Sequence, residues 1–272
     1  MAGHPSDRWR TAPGKRLDLD DIDTRSTAGA PGDKDATRAA GAALTPALAA
    51  LQERLWAEQR QSLLLVLQAM DCGGKDGAIE HVFTGVNPQG FRISNFRVPT
   101  EEEASHDFLW RVHKVTPRHG EIGIFNRSHY EDVIAVRVRG LAPEKVWRPR
   151  YGHIRDFEQL LSESGTTVVK CYLHISKQEQ AARLQARLDD PEKRWKFRRG
   201  DLADRAFWDD YMTAYAEVIS ATSTRTAPWY VIPADRKWYR NWALSNIVLD
   251  TLERMDPQFP EPEENLDDVT IE

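Results

Sequence analysis

Five apolar residues in a row, Leu63–Leu67, run directly into Gln68-Ala69-Met70-Asp71-Cys72-Gly73-Gly74-Lys75-Asp76-Gly77, and few folds accommodate that junction. A strand that is apolar at every position is buried on both faces and belongs in the middle of a covered sheet. The adjacent glycines Gly73 and Gly74 let the backbone turn tightly and aim its N–H groups at an anion. A helical segment starts at Ala78, so the positive end of a helix dipole faces the same place, and Lys75 adds a mobile charge. Strand, glycine–lysine turn and helix together make a cradle for phosphate. Two departures stand out: Ala69 occupies the usual first glycine, and Asp76 stands where Ser or Thr usually follows the lysine. A glycine-rich turn without a ligand is the plain alternative for this segment alone. Asp71 is either a turn residue or a carboxylate able to hold a metal ion on a phosphate chain.

From residue 62 onward, short apolar runs alternate with helix-like stretches. The runs are Leu63–Leu67, Phe91–Val98, Ile122–Phe125, Thr167–Ile175 and Trp229–Ile232. Thr100 with Glu103, and Ser176 with Glu179, carry the capping-box spacing, and TEEEASHDFLWRVHKV has a helical pattern. Alternation of this kind predicts an α/β fold, a mainly parallel sheet with helices on both faces and ligand sites at the carboxyl ends of its strands. Residues 1–40, rich in Gly, Pro, Ala and Asp, read as an arm, loosely ordered or wrapped over the body. A helical pattern from Leu44 to Arg60 opens the body, which extends over 41–260, and EPEENLDDVTIE (261–272) forms an acidic tail.

Composition excludes several classes. No stretch approaches the roughly 20 apolar residues of a membrane span, and the basic start has no apolar segment behind it, so no secretory signal is expected. Cys72 and Cys171 lie far apart without metal-ligand spacing, as in reduced thiols of a cytoplasmic protein. The histidines are too scattered for a zinc site. A formal net charge of −5 argues against a general nucleic-acid coat. It leaves room for a polyanionic ligand, because Lys193, Arg194, Lys196, Arg198 and Arg199 fall together without an acid between them.

Two further constellations carry chemistry. The third apolar run ends in Phe125-Asn126-Arg127-Ser128-His129-Tyr130-Glu131-Asp132, presenting a polar group, a cation and an acid at a strand's carboxyl end. There Arg127 can neutralise phosphate oxygens, and Glu131 can hold magnesium or orient an acceptor; a capped helix start with a surface ion pair is the alternative. In the segment ARLQARLDDPEKRWKFRRGD, Arg183 and Arg187 share a helical face, Pro191 breaks the helix, and Trp195 and Phe197 interleave with the basic run. That texture suits a lid closing cations over reacting phosphates, single-stranded nucleic-acid binding, or a solvated loop anchored by its aromatics.

Taken together, LQAMDCGGKDG, GVNPQGFRISNFRVPT, LWRVH, PRHGEIGIFNRSHYEDV, LHISKQEQ, DDPEKRWKF, STRTAPWYVIPA and KWYRNW resemble the polyphosphate kinase 2 family over residues 45–260. The resemblance implies a P-loop kinase-like fold, a five-stranded parallel sheet sandwiched by helices with a basic helical lid at about 183–205. It implies transfer from inorganic polyphosphate to nucleotides with Mg2+ or Mn2+. FNRSHYED, with Asn126, resembles class III, whose members convert both AMP and ADP, giving ADP and ATP. The family's motifs put Asp71 and Lys75 at metal and phosphate, and Asn126, Arg127 and Glu131 in the second motif. Gly73, Gly74, Asp76 and Gly77 match the loop, while Arg97, Pro99 and Thr100 match the nucleotide side. Arg183, Arg187, Lys193, Arg194, Lys196 and Arg198 match the lid. Cys72, commonly Ala or Thr in such proteins, is a departure. A cytoplasmic homo-oligomer without nucleic-acid or membrane partners is expected. The rivals are an ATP-using nucleoside monophosphate kinase and a non-catalytic polyanion- or RNA-binding protein.

Overall fold

The computed structural model describes residues 4–263 and residue 271; the expected acidic tail, 261–272, falls largely outside them. The chain builds a five-stranded, all-parallel sheet from β1 (Ser62–Gln68), β2 (Phe91–Asn95), β3 (Ile122–Asn126), β4 (Thr166–His174) and β5 (Trp229–Pro233). Their order is β2-β3-β1-β4-β5. The most apolar strand lies at the centre, as its sequence requires: all seven residues of β1 are buried. Successive side chains of a strand point to opposite faces, so helices must cover both.

The principal helices are α1 (Lys34–Ala42), α2 (Thr45–Glu58) and α3 (Lys75–Phe83), then the one-turn α4 (Glu101–Ala104), α5 (Trp110–His113), α6 (Ala135–Val138) and α7 (Glu144–Trp147). After them come α8 (Arg150–Glu163), α9 (Lys177–Asp189), α10 (Arg199–Ala206), α11 (Trp208–Thr222) and α12 (Lys237–Met255). The long α12 packs against α1, α2 and α3, while α8 lies on β4 and against α11.

Two sequence expectations need correction. The stretch TEEEASHDFLWRVHKV forms α4 and α5 rather than one helix. The capping box at Thr100 starts a helix, but the Ser105 N–H closes onto the carbonyls of 101–103. Asp107 then takes the Leu109 N–H on its own carboxylate at 2.9 Å, an alternative to continuing the helix. At Ser176 only half of the capping box forms. Its hydroxyl accepts the Glu179 N–H at 3.0 Å, whereas the Glu179 carboxylate turns to Arg183 Nε at 2.7 Å.

The amino-terminal segment wraps over the body, and α1 occupies part of the stretch read as arm. Trp9 is buried between Tyr239 and Trp242 of α12, and its Nε1 donates to the Tyr239 hydroxyl at 3.1 Å. Arg10 forms an antiparallel bridge to Tyr230, covering an edge that β5 would otherwise expose.

Candidate active site

The carboxyl ends of β1 and β3 place the two motifs side by side, since Leu67 and Asn126 are register partners. Between β1 and α3 the backbone makes the expected tight turn. Gly73 N–H closes onto the Met70 carbonyl at 2.9 Å, and Gly74, at φ +94°, caps α3 in the left-handed region that favours glycine. Lys75 opens α3 and folds back over the loop, its Nζ 3.2 Å from the Ala69 carbonyl. Burial, and then the Arg127 guanidinium, hold this ammonium below the ordinary lysine pKa. It is a cation short of a partner, which a phosphate would supply.

Arg127 forms an ion pair with Asp71 across the site. Burial opposes its charge, but the Glu131 and Asp71 carboxylates outweigh that and keep it firmly protonated. Glu131 is pushed above the usual carboxyl range by burial, with Arg127 and Lys75 pulling the other way and Asp71 adding negative charge. Asp71 and Glu131 thus act on each other as like charges with two cations beside them. Carboxylate oxygens suit magnesium or manganese. The ring of His129, two residues from Glu131, is wholly buried, with Nε2 3.4 Å from Glu158. The donor set fits a hard divalent cation. Asn126 donates its amide to Asp76 at 2.7 Å, joining the second motif to the first turn of α3.

The residues assigned to a lid divide. Arg183 is not free: Nη1 donates to the Cys72 and Gly73 carbonyls at 3.0 and 3.2 Å, and Nη2 to the Ala234 and Asp235 carbonyls at 2.6 and 3.1 Å. It pins the phosphate loop to the turn after β5. Arg187 is half-buried near Asp201, at 3.9 Å. Lys193, Arg194, Lys196 and Arg198 are exposed, Lys193 pairing with Asp190 at 2.5 Å and Arg194 bonding the Leu188 carbonyl at 2.7 Å. On the opposite flank Arg97, Pro99 and Thr100 are exposed too. The Arg97 carbonyl receives buried Arg111 at 2.8 Å, and the Thr100 hydroxyl is committed to capping α4.

Three residues escaped the reading of individual side chains. Arg240, on α12, is 3 % exposed and bonds only its neighbour Asn241. Among the described residues no carboxylate pairs with it. Burial, then Arg183, lower it to about 10. It lies against the phosphate loop, since a Cβ on Gly74 would fall 2.0 Å from its Nη1. Beside it Lys237 is depressed by burial, Arg183 and Arg240, with Lys193 adding to the effect. Both border a cavity of about 300 Å³ whose lining also includes Arg38 and His81 and no carboxylate. His81 is lowered by burial, Arg240 and Arg38. Asp201, on α10, is raised by burial and by Asp71. The basic residues sit in KWYRNW, which looks like ordinary helix; only the turn between β5 and α12 aims them at the loop.

A model of the family "Polyphosphate kinase 2 (PPK2)" matches residues 32–260. The chain is 54 % identical to an AMP/ADP-polyphosphate phosphotransferase of Meiothermus ruber, over 97 % of this chain and 99 % of that one. It is 46 % identical to an ADP-polyphosphate phosphotransferase of Rhodopseudomonas palustris, over 79 % of this chain and 78 % of the other. The crystal structure of a polyphosphate kinase 2 from Arthrobacter aurescens superposes with a TM-score of 0.94 at 46 % identity, covering 98 % of this chain and 95 % of that one.

Proposed function

The chain belongs to the polyphosphate kinase 2 family, and from that premise we propose that it transfers phosphoryl groups from inorganic polyphosphate to AMP and to ADP, giving ADP and ATP. The observation that carries this reading is Arg240, buried against the Gly73–Gly74 turn with no carboxylate partner among the described residues, in a cavity that Lys237 and Arg38 also line. An ATP donor ends in a nucleoside, whose neutral base gains nothing from such a lining. A polyphosphate continues to present oxygens along its length, and buried Arg240 gains from them the partner it lacks.

In this mechanism the terminal donor phosphates lie over the Gly73–Gly74 turn, with Lys75 at the group in flight and Arg127 on its equatorial oxygens. Asp71 and Glu131 would hold magnesium, which when bound would supply positive charge to offset that of the phosphates. The acceptor is an ionised phosphate and needs no strong base; positioning and electrostatics carry the rate. Gly77 and Asp76 support the loop. Arg97, Pro99 and Thr100 border the nucleotide. The segment 183–205 acts as a lid, with Arg187, Lys193, Arg194, Lys196 and Arg198 along the donor and Arg183 bracing the loop. Residues 41–260 form the catalytic body. None of the described helices is long and apolar enough to cross a membrane; the reading further places the enzyme in the cytoplasm as a homo-oligomer.

The test is an assay of the purified protein with magnesium and AMP, with polyphosphate or ATP as donor. Polyphosphate should yield ADP and then ATP. Turnover with ATP alone would transfer the assignment to a nucleoside monophosphate kinase, and turnover with neither would end it.

A further inference from the structure

The second motif presents two sides. Asn126, Arg127 and Glu131 are partly exposed toward the phosphate loop, whereas Ser128, His129 and Tyr130, which stand between them, are wholly buried. Behind the buried three lies a closed polar network. Lys170, in the middle of β4, is 0 % exposed, and its ammonium donates to Glu158 Oε2 at 2.5 Å, the Thr222 carbonyl at 2.7 Å and the Tyr130 hydroxyl at 3.1 Å. The other carboxylate oxygen of Glu158 accepts the Tyr130 hydroxyl at 2.8 Å and faces His129 Nε2 at 3.4 Å.

We propose that Glu158 and Lys170 are positioning residues for phosphoryl transfer: through Tyr130 and His129 they fix the segment that carries Arg127 and Glu131. The proposal rests on the functional reading of that segment given above. A buried ion pair is a poor source of stability, because well-packed apolar residues of the same volume serve as well. What it supplies is direction. Each proton of the Lys170 ammonium and both oxygens of Glu158 have a partner, so the phenol can sit in one place only.

The segment needs such fixing because Arg127 stands at φ +59°, a left-handed conformation uncommon for a long side chain. A residue held there keeps its conformation only while its surroundings dictate it. On the amino-terminal side the Arg127 N–H continues the ladder to the Leu67 carbonyl at 3.1 Å. At Ser128 the hydroxyl accepts from Gln68 Nε2 and from the Tyr130 N–H, both at 3.2 Å. On the carboxyl-terminal side the anchor is Tyr130, whose ring meets Trp229 edge-on at 4.8 Å and whose hydroxyl meets Glu158. Packing places the ring; the carboxylate fixes how far it swings.

Tyr130→Phe removes that hydroxyl and spares the packing. It should melt cooperatively and lose about tenfold or more in kcat, because misplacing a reacting group by an ångström is that costly. KM for polyphosphate and for AMP should stay within about twofold, since the loss falls on groups that act in the transition state. A second pair separates positioning from packing. Glu158→Leu with Lys170→Met should fold with the same loss in kcat, and Glu158→Gln with Lys170→Met, which restores a carbonyl acceptor for the phenol, should recover part of it. A folded Tyr130→Phe with kcat within about twofold of wild type overturns the proposal, whether or not the double variants fold. Wild type is assayed alongside: if it does not use polyphosphate, the functional reading fails, and if it does while Tyr130→Phe matches it, only this inference fails.

Discussion

Lys75→Ala deletes the charge proposed to meet the transferring group while leaving the loop's glycines and the pinning bonds of Arg183 in place. The variant should remain folded and lose at least about a hundredfold in kcat, roughly 3 kcal/mol of transition-state stabilisation. Retention of more than about a tenth of wild-type turnover would remove Lys75 from the chemistry. Glu131 gives a prediction of opposite sign for stability. Its pKa is raised in the folded state, chiefly by burial, so the fold binds that proton more tightly than the unfolded chain does. The associated stability is full below the ordinary carboxyl pKa and is lost as pH rises through the raised value. Glu131→Gln should therefore gain thermal stability over the ligand-free wild type as pH increases above the carboxyl range, and lose activity. Melting curves across pH check the first part; a stability difference independent of pH would contradict it. Asn126 bears on acceptor choice. Its amide donates to Asp76 at 2.7 Å, so Asn126→Asp sets two carboxylates face to face, a repulsion of several kcal/mol at about 4 Å and an effective dielectric near 20 before relaxation. Relief requires a proton or a relocated cation, and AMP and ADP, differing by one phosphate, respond differently to either. The ratio of AMP to ADP turnover should change; equal proportional losses would show that this contact does not set acceptor choice.

At the scale of elements, the lid is where charge exceeds structure. Lys193 and Arg194 are exposed and bonded only within the segment, yet Lys193 is close enough to Lys237 to add to the lowering of its pKa. Replacing both by alanine should raise KM for long polyphosphate several-fold with little effect on KM for AMP, and flatten the salt dependence of donor use, by analogy with counterion release. An unchanged donor KM would reduce the segment to a solvated loop. Four of the five strands were legible as apolar runs bounded by turn residues, β2 (FRISN) being an alternating edge strand, and β1 announced its central place by having no polar side. The glycine–lysine turn was legible because glycine, lysine and helix start are adjacent in sequence. Between β2 and β3 legibility failed, since Asp107 diverts a backbone N–H from an otherwise helical pattern. Arg183 was legible as a lid cation by spacing, but its four carbonyl bonds reach across from α9 to two separate loops, and no local pattern encodes that. Arg240 and Lys237 were hidden for the same reason: a helix face reads identically whether it borders solvent or a phosphate site.

Over the whole molecule, the amino-terminal segment joins elements that the sheet leaves separate, and it does so by two means with different consequences. At one end Trp9 plugs a gap against Tyr239 and Trp242 in the first turns of α12, on either side of Arg240. At the other end Thr24 reaches Asp235 at 2.9 Å, and the same carboxylate accepts the Ser176 N–H at 2.8 Å and its hydroxyl at 2.9 Å. Asp235 thereby ties the segment to the first residue before α9, and its backbone carbonyl receives Arg183, which holds the phosphate loop. Trp9→Ala should act chiefly on stability, because its ring partners and its side-chain hydrogen bond are Tyr239 and Trp242 rather than the residues of the loop. Emptying a buried indole site costs about 3–5 kcal/mol, so the melting temperature should fall by many degrees while kcat, measured where the variant is folded, stays near wild type. Asp235→Ala should do the reverse. Losing three accepted bonds leaves the partly buried groups of Thr24 and Ser176 short of a partner, at a cost of at most about 1–3 kcal/mol. It also frees the start of the helix from which Arg183 reaches both loops. Its melting temperature should fall less than that of Trp9→Ala and its kcat more. If both variants lose stability and activity in the same proportion, the segment braces the fold as one body and the connection from Thr24 through Asp235 to the phosphate loop has no separate role in turnover.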